Sequence, residues 1–155
     1  MRTNLNILIS LAQEVRKEIE ALAKYNKKYS YSLEGFCTIS SYRLLEKCKM
    51  NGIFPTFTTG YFSVYDDDSL KKYCYCNHAW VEFYGKIIDI TASQFSEPGL
   101  RFDDVHITNI NDKMYNALFY GKDAFDNLRL WPERQNPLCD NSYLRDLDAA
   151  LTFCA

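Results

Sequence analysis

Residues 77–95 read NHAWVEFYGKIIDITASQF, and how this stretch folds decides the architecture around it. Val, Ile, Phe, Tyr and Trp fill two short runs on either side of Tyr84-Gly85, the composition of a β-hairpin with a two-residue turn. With that turn length, Phe83 pairs with Lys86, Glu82 with Ile87 and Trp80 with Asp89. Side chains alternate along a strand, so His78, Trp80 and Glu82 share a face with Ile87, Asp89 and Thr91. The other face collects Ala79, Val81, Phe83, Ile88, Ile90 and Ala92, all apolar. The apolar face is expected to be core. The other carries a histidine diagonally opposite an aspartate, within reach of a side-chain hydrogen bond. A three-residue loop would break this parity.

Upstream, IFPTFTTGYFSVY is rich in β-branched and aromatic residues and predicts a strand over 56–65, followed by a turn at Asp66-Asp67-Asp68. Before it, a helix is expected over 36–50, ending at Asn51-Gly52, a strong C-terminal signal. Cys37, Ser41, Leu44 and Cys48 fall on one face of that helix. At the N-terminus, Leu5, Leu8, Ala12, Val15, Ile19 and Leu22 recur at helical spacing. Arg2 before an apolar patch has the look of a signal peptide. Asn6 and Ser10 interrupt the patch, however, and charge resumes at Glu14 with no small-residue cleavage site, so a folded amphipathic helix is expected. Residues 25–32 read as a polar connector.

Beyond Pro98 the character changes. Residues 111–130 are expected to be largely helical, 132–137 a loop, and 142–153 a last helix capped by Ser142. The fold class that follows is α+β: N-terminal helices packed on an antiparallel sheet, with a C-terminal helical extension. The 155 residues suit a single domain, with a core over about 33–95 and the extension over about 98–155.

Composition excludes several classes. A chain 47% hydrophobic and 25% charged is globular rather than disordered. A net charge of −2 and a pI near 5.7 give no nucleic-acid footprint and no polybasic membrane patch. No run approaches the roughly 20 apolar residues needed to span a bilayer, so no membrane partner is expected. The six cysteines (Cys37, Cys48, Cys74, Cys76, Cys139, Cys154) are expected to be reduced thiols in a cytoplasmic setting.

Cys37 follows Gly35-Phe36 and opens the second predicted helix. There, unpaired backbone N–H groups and the positive end of the helix dipole favour a thiolate and can hold a developing oxyanion. His78 would take or stabilise the thiol proton, and Asp89 would fix the imidazole tautomer and support the imidazolium. Attack of the thiolate on a carbonyl carbon, through an acyl-enzyme, is the chemistry these parts imply.

GFCTISSYRLLEKCKMNGIFPTFTTGYF (35–62) followed by NHAWVEFYGKIIDIT (77–91) resembles the transglutaminase-like branch of the papain-like cysteine enzymes. That family places a Cys at a helix start, then His-Ala-Trp-Val-Glu on one strand and an Asp on the next. The resemblance covers about Gly35 to Gln94. It implies a papain/transglutaminase-like core with Cys37 as nucleophile, His78 as base and Asp89 as orienting acid. Members include proteases, amidases, acyl-transferring cross-linkers and leader-peptide peptidases, so a peptide or protein substrate and no cofactor are expected. The chain departs from the family just before Cys37, where Tyr31 or Glu34 stands in place of a Gln or Trp oxyanion donor. Gln94 is the candidate replacement on the substrate side. The helical extension matches nothing in the family.

Each of these residues also has a plainer reading. A Cys at a helix start is usually a small buried hydrophobe, and Asp89 between two isoleucines a solvent-face residue. Trp80 reads equally as a rim aromatic and as part of a substrate groove. Phe102, Tyr115, Phe119, Tyr120, Phe125 and Trp131 are core or groove. Cys74, Cys76 and His78 invite a zinc reading, but residues four apart on a strand are about 13 Å apart, too far to share a metal. Asp66–Asp68 lacks the spacing and glycine of a calcium loop, and no metal is expected. His106 reads as a surface or strand-end residue.

Overall fold

The computed structural model describes residues 2–25, 36–65 and 72–128, without the side chains of 25 and 65–75. Apart from Tyr25, which ends the first helix, the Tyr25–Ser32 connector lies outside the described residues, as do the Asp66–Asp68 turn, the 132–137 loop and the 142–153 helix.

Helix α1 (Arg2–Tyr25) buries Leu8, Ala12, Val15, Ile19 and Leu22, the stripe that its 3.6-residue spacing specifies. Helix α2 (Cys37–Met50) ends where Gly52 turns to φ 70°, with Asn51 Nδ2 donating to Lys47 O at 2.9 Å. Ion pairs Arg43–Glu18 and Lys47–Glu18 tie the two helices together along their outer edge.

The sheet is antiparallel throughout, in the order β4-β3-β2-β1-β5. Its strands are β1 (Thr56–Tyr65), β2 (Lys72–Phe83), β3 (Lys86–Asp89), β4 (His106–Asn109) and β5 (Tyr115–Tyr120). The hairpin register matches the one expected: Phe83 opposite Lys86, Glu82 opposite Ile87, Val81 opposite Ile88. Tyr84 and Gly85 both take positive φ (47° and 73°), the backbone of a two-residue turn whose twist suits the flanking strands. A short helix, α3 (Gly121–Asn127), follows β5 directly.

Two layers of core result. α1 and α2 lie over Val81, Ile88 and Ile90 on one face of the sheet. On the other, Phe62, Val64, Trp80, Ile87, Ala92, Phe102 and Tyr115 form a second cluster, with Phe95 and Leu100 packed against it. The hairpin therefore has no open face. The chain turns after Asp89 into a 3-10 turn (Ala92–Phe95), and the segment through Phe102 folds back over the side expected to carry exposed chemistry. The strand parity also ends there, and Ala92 packs with the aromatic cluster rather than with Val81.

The described part of that span, residues 111–128, is not largely helical. Tyr115–Tyr120 contributes an edge strand that pairs with β1 from Thr58 to Phe62, and helix is confined to α3. β1 had an unpaired edge, and a tyrosine- and phenylalanine-rich segment satisfies it better than a helix would. Among the described residues, no helix is long and apolar enough to cross a membrane.

Candidate active site

Cys37 is the first residue of α2. Phe36 is the N-cap residue (φ −89°, ψ −2°), and its side chain makes no cap hydrogen bond. The thiol is 4% exposed and packs with Phe57 and Ala79 from the sheet and with Ala124 and Leu128 at α3. Phe125 fixes α3 in place by stacking on Phe57 (centroids 4.3 Å apart) and meeting Tyr42 edge-on at 5.9 Å.

His78 neighbours Ala79 on β2 and faces Gly60 of β1 in the ladder. Its ring is enclosed by Phe95 (5.1 Å), Phe62 (5.6 Å) and Trp80 (6.0 Å). Asp89 ends β3, and its carboxylate accepts from every side. Oδ2 takes His78 Nε2 at 2.6 Å and the Tyr115 hydroxyl at 2.9 Å. Oδ1 takes the Thr91 backbone N–H at 2.9 Å and the Thr91 hydroxyl at 3.3 Å. Side chains of His78 and Asp89 are each 1% exposed.

Burial alone would discharge the imidazole. It is outweighed by the charge and hydrogen bond of Asp89, with a further hydrogen bond and charge from Cys37, and His78 is pushed up to about 10. For Asp89, burial works against the carboxylate, but the His78 charge and the donated hydrogen bonds hold it below the usual range. The two form an imidazolium–carboxylate pair in which Nε2 donates to Asp89. Nδ1 is then the ring nitrogen turned away from Asp89.

The other candidates fare differently. Trp80 is fully buried, its Nε1 donating to Glu82 Oε1 at 3.0 Å, so it is not the rim aromatic expected of it. The back-folded segment after Asp89 covers it, placing it under the histidine rather than beside a groove. Gln94 spends its amide on the Thr91 carbonyl at 3.0 Å and braces the turn that carries the Asp89 cap. His106 begins β4 opposite Asp89, the strand-end position expected; its Nε2 is buried without a hydrogen-bond partner among the described residues.

Three residues outside the expected catalytic and substrate-binding set support the site. Tyr115 holds Asp89 directly. Gly60 lets β5 approach β1 so closely that a Cβ there would lie 2.0 Å from Asn116 O. Arg16, buried on α1, donates to Ile90 O (2.8 Å), Ser93 Oγ (2.8 Å) and Asp104 O (3.0 Å) and pairs with Glu20 (2.7 Å). It anchors the chain on both sides of the aromatic cover. Only the glycine carries a sequence signal, as an interruption in a β-rich run.

Among the described residues, Cys37, Cys48 and Cys76 are free thiols, and no three His, Cys, Asp or Glu side chains gather as a metal site. Compared with known proteins, the chain matches no family model, no curated sequence and no solved structure.

Proposed function

We propose that the protein is a cysteine hydrolase or acyltransferase with a transglutaminase-like, papain-like core, acting on amide, peptide or isopeptide bonds of a peptide or protein substrate. The observation that carries this reading is the buried contact of His78 Nε2 with Asp89 Oδ2 at 2.6 Å, on a strand whose next residue, Ala79, packs with Cys37.

In this reading Cys37 is the nucleophile and His78 carries the proton that the leaving amine needs. The sulfur attacks the carbonyl carbon, a C–S bond forms, and the carbonyl electron pair moves to oxygen. Backbone N–H groups at the start of α2, the positive end of the helix dipole, receive that oxyanion. Collapse expels the amine, which takes its proton from His78, and leaves a thioester on Cys37. Water or an acceptor amine then loses a proton to His78, attacks the thioester carbon and releases the thiolate. Hydrolysis and transfer differ only in which nucleophile reaches the thioester. Asp89 keeps its charge throughout and holds the ring in register.

Iodoacetamide at neutral pH, read out by peptide mass spectrometry, tests the chemistry. Cys37 is expected to label selectively, and His78→Ala to abolish that selectivity. Even labelling of all six cysteines, or none at Cys37, would sink the reading.

A second reading is a catalytically silent binding module on the same scaffold. What favours it is the closure of Cys37, His78 and Asp89 to solvent. A Cys37 that stays unlabelled after α3 is loosened would decide for it.

A further inference from the structure

Asp89 Oδ2 is shared. His78 Nε2 and the Tyr115 hydroxyl reach the same oxygen, at 2.6 and 2.9 Å, the first from the central strand β2 and the second from the edge strand β5. Resting on the Cys37–His78–Asp89 reading above, we infer that Tyr115 is a positioning residue that limits how tightly Asp89 holds the His78 imidazolium, and so lets His78 release its proton to the leaving amine.

The physical argument is one of divided charge. A carboxylate oxygen that already accepts a phenol hydrogen bond has less electron density for a second donor. Remove the phenol, and all of Oδ2 is directed at His78. A more tightly held imidazolium is a weaker general acid, which slows expulsion of an amine. Tyr115 is suited to this task because it stays a donor. Burial, together with the Asp89 charge, drives its phenol well above the ordinary tyrosine range.

The backbone gives the phenol little slack. β5 presses against β1 at Gly60, where the bulge between Thr59 and Gly60 leaves no room for a Cβ beside Asn116 O and Ala117 Cα. Tyr115 is the residue before that contact, and its ring packs edge-on against Phe62 (5.1 Å) and Trp80 (5.1 Å). The aromatic cage therefore fixes the ring, and the ring fixes the hydroxyl.

Other titratable groups face the same pair. Cys37 approaches from α2. Cys76 packs against the aromatic cluster from β2. From β4, His106 lies parallel to the Tyr115 ring at 6.4 Å. Asp112, in the β4–β5 turn, acts on the Tyr115 phenol. All of them are unchanged in a Tyr115→Phe protein, so a shift there belongs to the lost hydroxyl.

The test is the titration of the His78 ring by NMR in the full chain, wild type against Tyr115→Phe. The midpoint is expected to rise by about half a pH unit or more in the variant, and the alkaline limb of Cys37 alkylation by iodoacetamide to move the same way. Site-specific 3,5-difluorotyrosine at position 115, whose phenol is a stronger donor, is expected to lower the midpoint and keeps the test open if Tyr115→Phe does not fold. A purely structural tyrosine would alter the melting temperature and leave both midpoints in place. An unchanged or lowered midpoint in Tyr115→Phe, or a raised one with difluorotyrosine, overturns the inference. Failure of Cys37 to alkylate in the wild type would instead remove the functional reading, while the His78 titration still decides the role of Tyr115.

Discussion

His78 Nε2 lies 2.6 Å from Asp89 Oδ2 with both side chains withdrawn from water, and this contact makes the fold's stability depend on pH. His78 is raised from its ordinary 6.5 to about 10, so its contribution is complete below 6.5 and is lost as pH rises through 10. Asp89 is lowered from 3.8, so its contribution is complete above that value and is lost only as pH falls through the depressed one. The pair therefore stabilises most between about pH 4 and 6.5. Urea unfolding of the wild type should show stability declining from pH 6.5 toward 10, with a flatter profile in His78→Gln. Parallel profiles would show that the imidazole is not charged in the folded state.

Asp89→Asn keeps the shape and removes the charge. The buried imidazole then loses its largest support, and desolvation is left to discharge it. The expected result is a His78 midpoint well below the wild-type value and a fall in acyl-transfer rate of about 100-fold or more, the scale seen when an orienting carboxylate is neutralised. NMR titration and single-turnover kinetics measure the two effects separately.

Loosening α3 should open the site. Phe125→Ala removes the stack on Phe57 and the edge contact with Tyr42 that hold Ala124 and Leu128 over the thiol. Alkylation of Cys37 should accelerate several-fold, while Cys48, whose thiol burial pushes up to about 11, stays unmodified at neutral pH. Equal acceleration at both cysteines would indicate general unfolding instead.

Arg16→Ala leaves two carbonyls and the Ser93 hydroxyl without their shared donor, and Glu20 without its partner. A loss of about 2–4 kcal/mol is expected in chemical denaturation. Exchange of the Thr91 amide, which caps Asp89, should rise with it.

Gly60→Ala forces a methyl into a space where Asn116 O stands 2.0 Å away. Backbone cannot yield as a side chain can, so β5 must part from β1 at a cost of about 3 kcal/mol or more. Hydrogen exchange should show β5 released before β2 and β3, and the His78 resonance should report loss of the Tyr115 contact.

How much of this was readable from residues alone varies along the chain. The hairpin was legible because its information is local: a two-residue turn sets the register, the register sets parity, and parity brings His78 to Asp89. β1 matches the expected Thr56–Tyr65 span for the same reason. The burial of Trp80 is not legible because what covers it arrives from the segment after Asp89, a long-range packing event with no periodicity to announce it. The strand at Tyr115–Tyr120 is not legible in its residues because a short apolar run does not reveal its period. An edge on β1 was needed to choose. Tyr115 and Arg16 act through contacts between distant parts of the chain, which spacing cannot report.

The order in which the chain is made has its own consequence. Cys37 emerges from the ribosome early, but Asp89 and Tyr115 come later, and β5 must add to the outside of β1 before the phenol reaches its carboxylate. A partly synthesised chain thus carries the Cys37 sulfur before the strands and aromatic residues that enclose His78 and Asp89 have been made.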